Sequence, residues 1–76
     1  MIEVEKEVNA KGTLCPMPVI LAKKAMDQLG KGQVLKLLAT DPGSWSDVPG
    51  WARVAGFEIL QAEEKDGVYT YLVQKP

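Results

Sequence analysis

The chain has no histidine and only one cysteine, and these two scarcities exclude more than any other feature of its composition. Without an imidazole it lacks the base that a cysteine or serine hydrolase uses to take the proton of its nucleophile, so hydrolase chemistry is not expected. One cysteine and no histidine leave no set of zinc or transition-metal ligands. The same lone cysteine forms no intrachain disulfide, which agrees with a reducing compartment. Neither sign of charge dominates. Nine Lys and Arg face ten Asp and Glu, for a net charge of −1, so there is no basic field to hold a phosphate backbone and nucleic acid is not an expected ligand. No apolar run approaches the roughly 20 residues of a membrane span. The start, Met1-Ile2-Glu3-Val4-Glu5-Lys6, is acidic and alternating where a signal peptide is basic and then apolar, which predicts a cytoplasmic protein.

What remains is the composition of one small folded domain. At 76 residues a single domain over 1–76 is expected, of a size that buries only about 60% of its unfolded surface. With 46% hydrophobic and 25% charged residues the chain reads as globular rather than disordered. No cofactor is expected.

In order along the chain, Ile2, Val4 and Val8 alternate with Glu3, Glu5 and Glu7, the period-two pattern of a half-buried strand. Asn9-Ala10-Lys11-Gly12 reads as a loop. From Pro16 to Leu29, Val19, Ala22, Met26 and Leu29 recur at helical steps, and Gly30 ends that helix. Gln33 to Thr40 is a mostly apolar run that suits a central strand, so strand, helix and strand predict a parallel pair. Asp41-Pro42-Gly43-Ser44 is a turn. A second helix is expected to begin between Ser44 and Asp47, capped by Ser44 or Ser46, with Pro49 in or just past its first turn. Its apolar face is Val48, Trp51, Ala52 and Ala55, and it closes at Gly56. Trp51 is expected in the core and Trp45 in the preceding loop. Phe57–Glu64 and Val68–Lys75 form a hairpin around Lys65-Asp66-Gly67, for which Asp-Gly is a strong signal. The expected fold is α+β: a two-layer α/β sandwich of order β-α-β-α-β-β, with two helices on one face of a mixed four-stranded sheet.

The chemistry converges on Gly12-Thr13-Leu14-Cys15-Pro16-Met17-Pro18-Val19. Proline is favoured in a first helical turn, so Pro16 and Pro18 mark a helix start and put Cys15 at or near the N-cap. There the positive end of the helix dipole favours an anion, and a thiolate is the anion that cysteine becomes. Pro16 and Pro18 have no N–H, which leaves Met17 as the expected backbone donor to that thiolate. A reactive cysteine with no second cysteine to close a disulfide suits a carrier of sulfur on a thiol. A redox-sensing thiol protein and a non-enzymatic docking module remain as alternatives.

The stretch Gly12-Thr13-Leu14-Cys15-Pro16-Met17-Pro18, followed by Asp41-Pro42, Asp47-Val48-Pro49 and Gly56-Phe57-Glu58, resembles the small sulfur-carrier family of TusA, also called SirA-like, from about Val8 to Lys75. The resemblance implies a two-layer sandwich whose cysteine takes a persulfide sulfur and hands it on, a sulfurtransferase-type carrier. It makes Cys15 the carrier, with Pro16 and Pro18 fixing the helix start, Met17 beside it and Gly12 shaping the loop. It also implies a sulfur donor, such as a cysteine desulfurase or a rhodanese, and an acceptor protein in a relay that serves transfer-RNA thiolation, molybdenum cofactor synthesis or sulfur oxidation. Partners are expected around Met17, Lys23 and the loop from Asp41 through Trp45 to Asp47. The chain departs from the family pattern at Asn9, where many members have Asp, and at Thr13, where many have Leu. At Ala52 some relatives carry a second cysteine.

Overall fold

The expected alternation of apolar strands and amphipathic helices is what the computed structural model shows, and it describes residues 3–14 and 16–76. Six elements follow one another: β1 (Lys6–Ala10), α1 (Met17–Met26), β2 (Val34–Ala39), α2 (Ser44–Ala55), β3 (Glu58–Lys65) and β4 (Val68–Gln74). The sheet order is β1-β2-β4-β3, with β1 parallel to β2 and β4 antiparallel to both of its neighbours. Strands β1, β2 and β3 therefore point the same way. Each helix runs back from the end of one of them to the start of the next, so α1 and α2 begin at the same end of the molecule.

Register sorts the side chains between the two faces. Val8, Leu37 and Tyr71 are paired across β1, β2 and β4, and with Ala10, Leu35 and Val73 they share one core with Ala22, Ala25 and Met26 of α1 and Val48 of α2. Both helices thus cover one face, as expected. The opposite face carries the neighbouring row Glu7, Lys36 and Leu72, where Lys36 and Glu7 form an exposed ion pair at 3.9 Å, a contact worth little in water.

The hairpin is tight. Lys65 pairs with Val68, and Asp66 and Gly67 both take positive φ (53° and 80°), the two-residue turn that matches the twist of the flanking strands. A bulge between Ile59 and Gln61 shifts the β3–β4 register, which together with the exposed, charged surface of β3 blunts that edge against further pairing.

Several boundaries differ from the sequence reading. The first strand begins at Lys6 and continues through Asn9 and Ala10, which were expected in a loop. Pairing with β2 extends it to Ala10, which is fully buried, whereas Val4 is 38% exposed; Ile2 lies outside the described residues. Helix α1 ends at Met26 rather than at Gly30, with Asp27 as its C-cap. The amide N–H groups of Gln28 and Leu29 then bond three residues back, and Lys75 Nζ donates to the carbonyls of Met26 and Leu29 at 3.1 and 2.9 Å. A cation from the chain's other end thus satisfies the last turn. Helix α2 begins at Ser44 with Gly43 as its N-cap and no capping side chain, so neither Ser44 nor Ser46 caps it. Trp45 therefore lies in the helix and not in the loop. Pro49 sits well inside it, where its missing N–H leaves the Trp45 carbonyl without a helical donor. Ala55 is exposed, so the buried face narrows to Ser44, Val48 and Ala52.

Candidate functional site

The segment between β1 and α1 is tied down from two sides. Thr13 donates from both its amide and its hydroxyl to the Ala10 carbonyl (3.2 and 2.7 Å). The Gly12 amide donates to Thr40 Oγ1 at 2.8 Å, which fastens the loop to the end of β2. Gly12 takes φ +84° with open space around it, so the backbone conformation and not crowding calls for glycine here. Asn9 Oδ1 accepts from the Lys11 amide at 3.0 Å, so the amide side chain at this position closes a local turn.

Cys15 lies outside the described residues, and the residues on either side of it in sequence define the frame. Pro16 occupies the N-cap position of α1, Met17 the first helical position and Pro18 the second, one step later than expected. The Met17 amide donates to the Leu14 carbonyl at 2.9 Å. It is therefore engaged with the backbone, which corrects the expectation that it serves as the donor to a thiolate. The first helical bond runs from Ile20 to the Pro16 carbonyl (3.1 Å). Pro18 is buried, while Met17 is 41% and Leu14 75% exposed. No acidic residue stands in the first turn of α1 and no side chain caps it among the described residues. The positive end of this dipole is thus left without a compensating charge from its own helix.

The start of α2 lies at the same end. Asp41 builds the turn into it: its carbonyl accepts from the Ser44 amide (3.0 Å) and its Oδ1 from the Gly43 amide (3.2 Å). Ser44 is turned inward, and its Oγ meets Tyr71 Oη at 2.8 Å inside the core. Trp45, 49% exposed, lies tilted over Tyr69 and Tyr71 with ring centres 5.8 and 6.3 Å away, so it covers β4 as well as facing water. Asp47 supplies an acid in the first turn.

Between the helices runs an open groove of about 470 Å³, with Pro16 and Val19 on one side and Ser46, Asp47, Gly50, Trp51 and Val54 on the other. Trp51 is half-buried, edge-on to Phe57 at 5.4 Å, and so forms wall as well as core. Of the expected partner-facing residues, Asp47 lines this groove and Met17 and Lys23 are exposed on α1. Asp41 and Trp45 belong to the neighbouring turn and helix start. Val19, Gly50 and Val54 were missed. Val54 had a signal: it is a large apolar residue off the helical stripe that holds Val48 and Ala52, hence pointed away from the core. Among the described residues no group of His, Cys, Asp and Glu is placed to hold a metal ion, and no helix is long and apolar enough to cross a membrane.

Comparison with known proteins gives a consistent picture. The family described as sulfurtransferase TusA matches residues 6–75. A putative sulfur carrier protein of Halobacterium salinarum is 46% identical over 74 residues, covering 96% of this chain and 91% of its own. The sulfur carrier protein TusA of Allochromatium vinosum is 37% identical over 75 residues, 99% of each chain. Among solved structures, the SirA-like protein of Desulfitobacterium hafniense aligns with a TM-score of 0.81 at 34% identity, covering 91% of this chain and 95% of that one.

Proposed function

Because this chain belongs to the TusA family, we propose that it is a sulfur carrier in which Cys15 accepts a sulfur atom as a persulfide and relays it to another protein. The observation that carries the reading is the family match across residues 6–75 in a chain with one cysteine.

The exchange requires no cofactor. The Cys15 thiolate attacks the outer sulfur of a donor persulfide; a new S–S bond forms on Cys15 while the donor's S–S bond breaks, and the donor leaves as a thiolate. A second attack, by the acceptor's thiolate on the outer sulfur held by Cys15, passes the atom on and returns Cys15 to its thiolate. Nothing is oxidised or reduced overall. The fold supports this chemistry in three ways. The uncompensated positive end of α1 favours an anion in the chain that leads into it. The bonds of Gly12 and Thr13 to Thr40 and Ala10 fix the approach to that helix. With no second cysteine, the persulfide cannot be discharged into an internal disulfide.

The donor in this reading is a cysteine desulfurase or a rhodanese, and the acceptor a relay protein of transfer-RNA thiolation, molybdenum cofactor synthesis or sulfur oxidation, working in the cytoplasm. Met17, Lys23, Asp41, Trp45 and Asp47, all at the helix-start end or on the helices that leave it, form the partner-facing side. The test is incubation with a cysteine desulfurase and cysteine, or a rhodanese and thiosulfate, followed by intact mass measurement. The wild-type chain is expected to gain one sulfur atom that a reductant removes, and Cys15→Ser to gain none. A wild-type chain that gains no sulfur but takes oxygen adducts on Cys15 in a parallel incubation with hydrogen peroxide would indicate a peroxide-sensing thiol, and one left unmodified in both a docking module.

A further inference from the structure

Exposed apolar surface and positive charge both gather on the helix side of this molecule. Among the described residues, the large hydrophobic side chains left exposed are Leu14, Met17, Ile20, Trp45, Val54 and Val4, and all but Val4 belong to the helices or to the loop that leads into α1; Val54 is 90% exposed. Residues 11–33 and 41–56, which hold both helices, carry Lys11, Lys23, Lys24, Lys31 and Arg53 against Asp27, Asp41 and Asp47, a net of +2. The rest of the chain carries four lysines against seven acids, a net of −3. On α1, Pro16, Val19 and Lys23 follow one another at three- and four-residue steps, and so do Met17, Ile20 and Lys24, so each apolar stripe ends in a lysine. On α2, Arg53 adjoins Val54. The ion pair found among the described residues is Lys36–Glu7 on the opposite face, so these three cations have no carboxylate partner there.

We propose that the groove between α1 and α2 is the docking site for the sulfur-donor protein, and that the segment it takes presents an apolar side chain flanked by carboxylates. The inference rests on the carrier reading above. The apolar side chain enters between Val19, Trp51 and Val54, and the carboxylates meet Lys23, Lys24 and Arg53, which lie outside the lining, a turn beyond Val19 and beside Val54 in the chain, and away from Asp47, the acid that lines the groove at the start of α2. Pro16, which lines the groove, follows Cys15 directly in the chain, so a protein seated there stands beside the sulfur's position in sequence. A second copy of this chain is the poorer occupant, because two such faces would oppose like charges.

The first arm of the test uses the protein alone and anilinonaphthalene sulfonate, an apolar anion with the proposed chemistry. Wild type is expected to enhance the dye's emission and to lose tryptophan emission as Trp51 is quenched; Val54→Glu abolishes binding, Lys23→Glu weakens it and Lys36→Glu on the sheet face leaves it unchanged. The second arm measures loading from the desulfurase or rhodanese. Val54→Glu is expected to lower kcat/KM about ten-fold or more, and Lys23→Glu to lower it about three-fold and flatten its salt dependence. Alkylation of Cys15 by iodoacetamide and the melting temperature should stay at wild-type values in both. Loading of Val54→Glu at the wild-type rate, or dye binding indifferent to that substitution, overturns the proposal. So does concentration-dependent dimerisation, or binding to phosphatidylglycerol vesicles, that Val54→Glu abolishes, since each assigns the groove to another occupant. If wild type is loaded by neither donor, the carrier reading and the partner's identity fall together, while the dye arm still decides the chemistry of the groove.

Discussion

Helices α1 and α2 begin at the same end of the molecule, neither has a capping side chain among the described residues, and yet their starts are built in opposite ways. The start of α2 is closed: Asp47 stands in its first turn, and Ser44 is drawn into the core, where its hydroxyl meets Tyr71 at 2.8 Å. The start of α1 is anchored by a buried proline, Pro18, which has no N–H to offer, and it carries no acid in its first turn. One helix satisfies its own dipole and seals its first residue. The other leaves its positive end to whatever anion comes next to it in the chain, and what stands there in sequence is Cys15. The difference teaches that this fold withholds ordinary stabilising features at one of two equivalent positions, the one next to which the proposed carrier residue stands in sequence.

Breaking the closed start should have the largest effect on stability. Tyr71→Phe removes the hydroxyl that Ser44 meets and leaves a buried Ser44 oxygen short of a partner, which is expected to cost about 1–3 kcal/mol; urea unfolding at constant m reads it. At the open start, Pro18→Ala is expected to cost about 1–2 kcal/mol, through lost buried surface and a more flexible unfolded chain. Because the loss is of burial and not of charge, the cost should be insensitive to salt. Thr40→Val, which keeps the shape but removes the acceptor of the Gly12 amide, is expected to cost about 0.5–1.5 kcal/mol. Its signature is faster hydrogen exchange at Gly12, and Thr40→Ser should restore protection. An unaltered Gly12 rate in Thr40→Val would show that the loop is held by Thr13 alone.

The same comparison explains what could be read in the sequence. Helical spacing of Val19, Ala22 and Met26 and the Asp-Gly turn fixed two of the local elements, because each depends on neighbours a few residues apart. The element order and the placing of both helices on one face followed from them. Three of the misplacements involve partners distant in sequence. Asn9 and Ala10 join β1 because Leu38 and Ala39 lie opposite them. Ser44 turns inward and does not cap because Tyr71, 27 residues on, receives it. Helix α1 stops at Met26 where Lys75 reaches its last carbonyls. At the site, Gly12, Pro16 and Pro18 were legible from backbone chemistry alone. The engagement of the Met17 amide with Leu14, three residues back, is a local bond that goes with a helix start one step later than expected, whereas the groove walls at Val19, Gly50 and Val54 required the two helices to be placed side by side.

The claim that this chain carries sulfur, and does not merely react with it, is tested most directly by a chase. Wild-type chain loaded from a desulfurase with radiolabelled cysteine sulfur is freed of the donor and mixed with a thiol-bearing acceptor protein of the relay. The label is predicted to move to the acceptor while the chain returns to its unmodified mass, with Cys15→Ser never acquiring the label. Label that stays on the wild-type chain, or that Cys15→Ser carries equally well, would contradict the carrier role of Cys15.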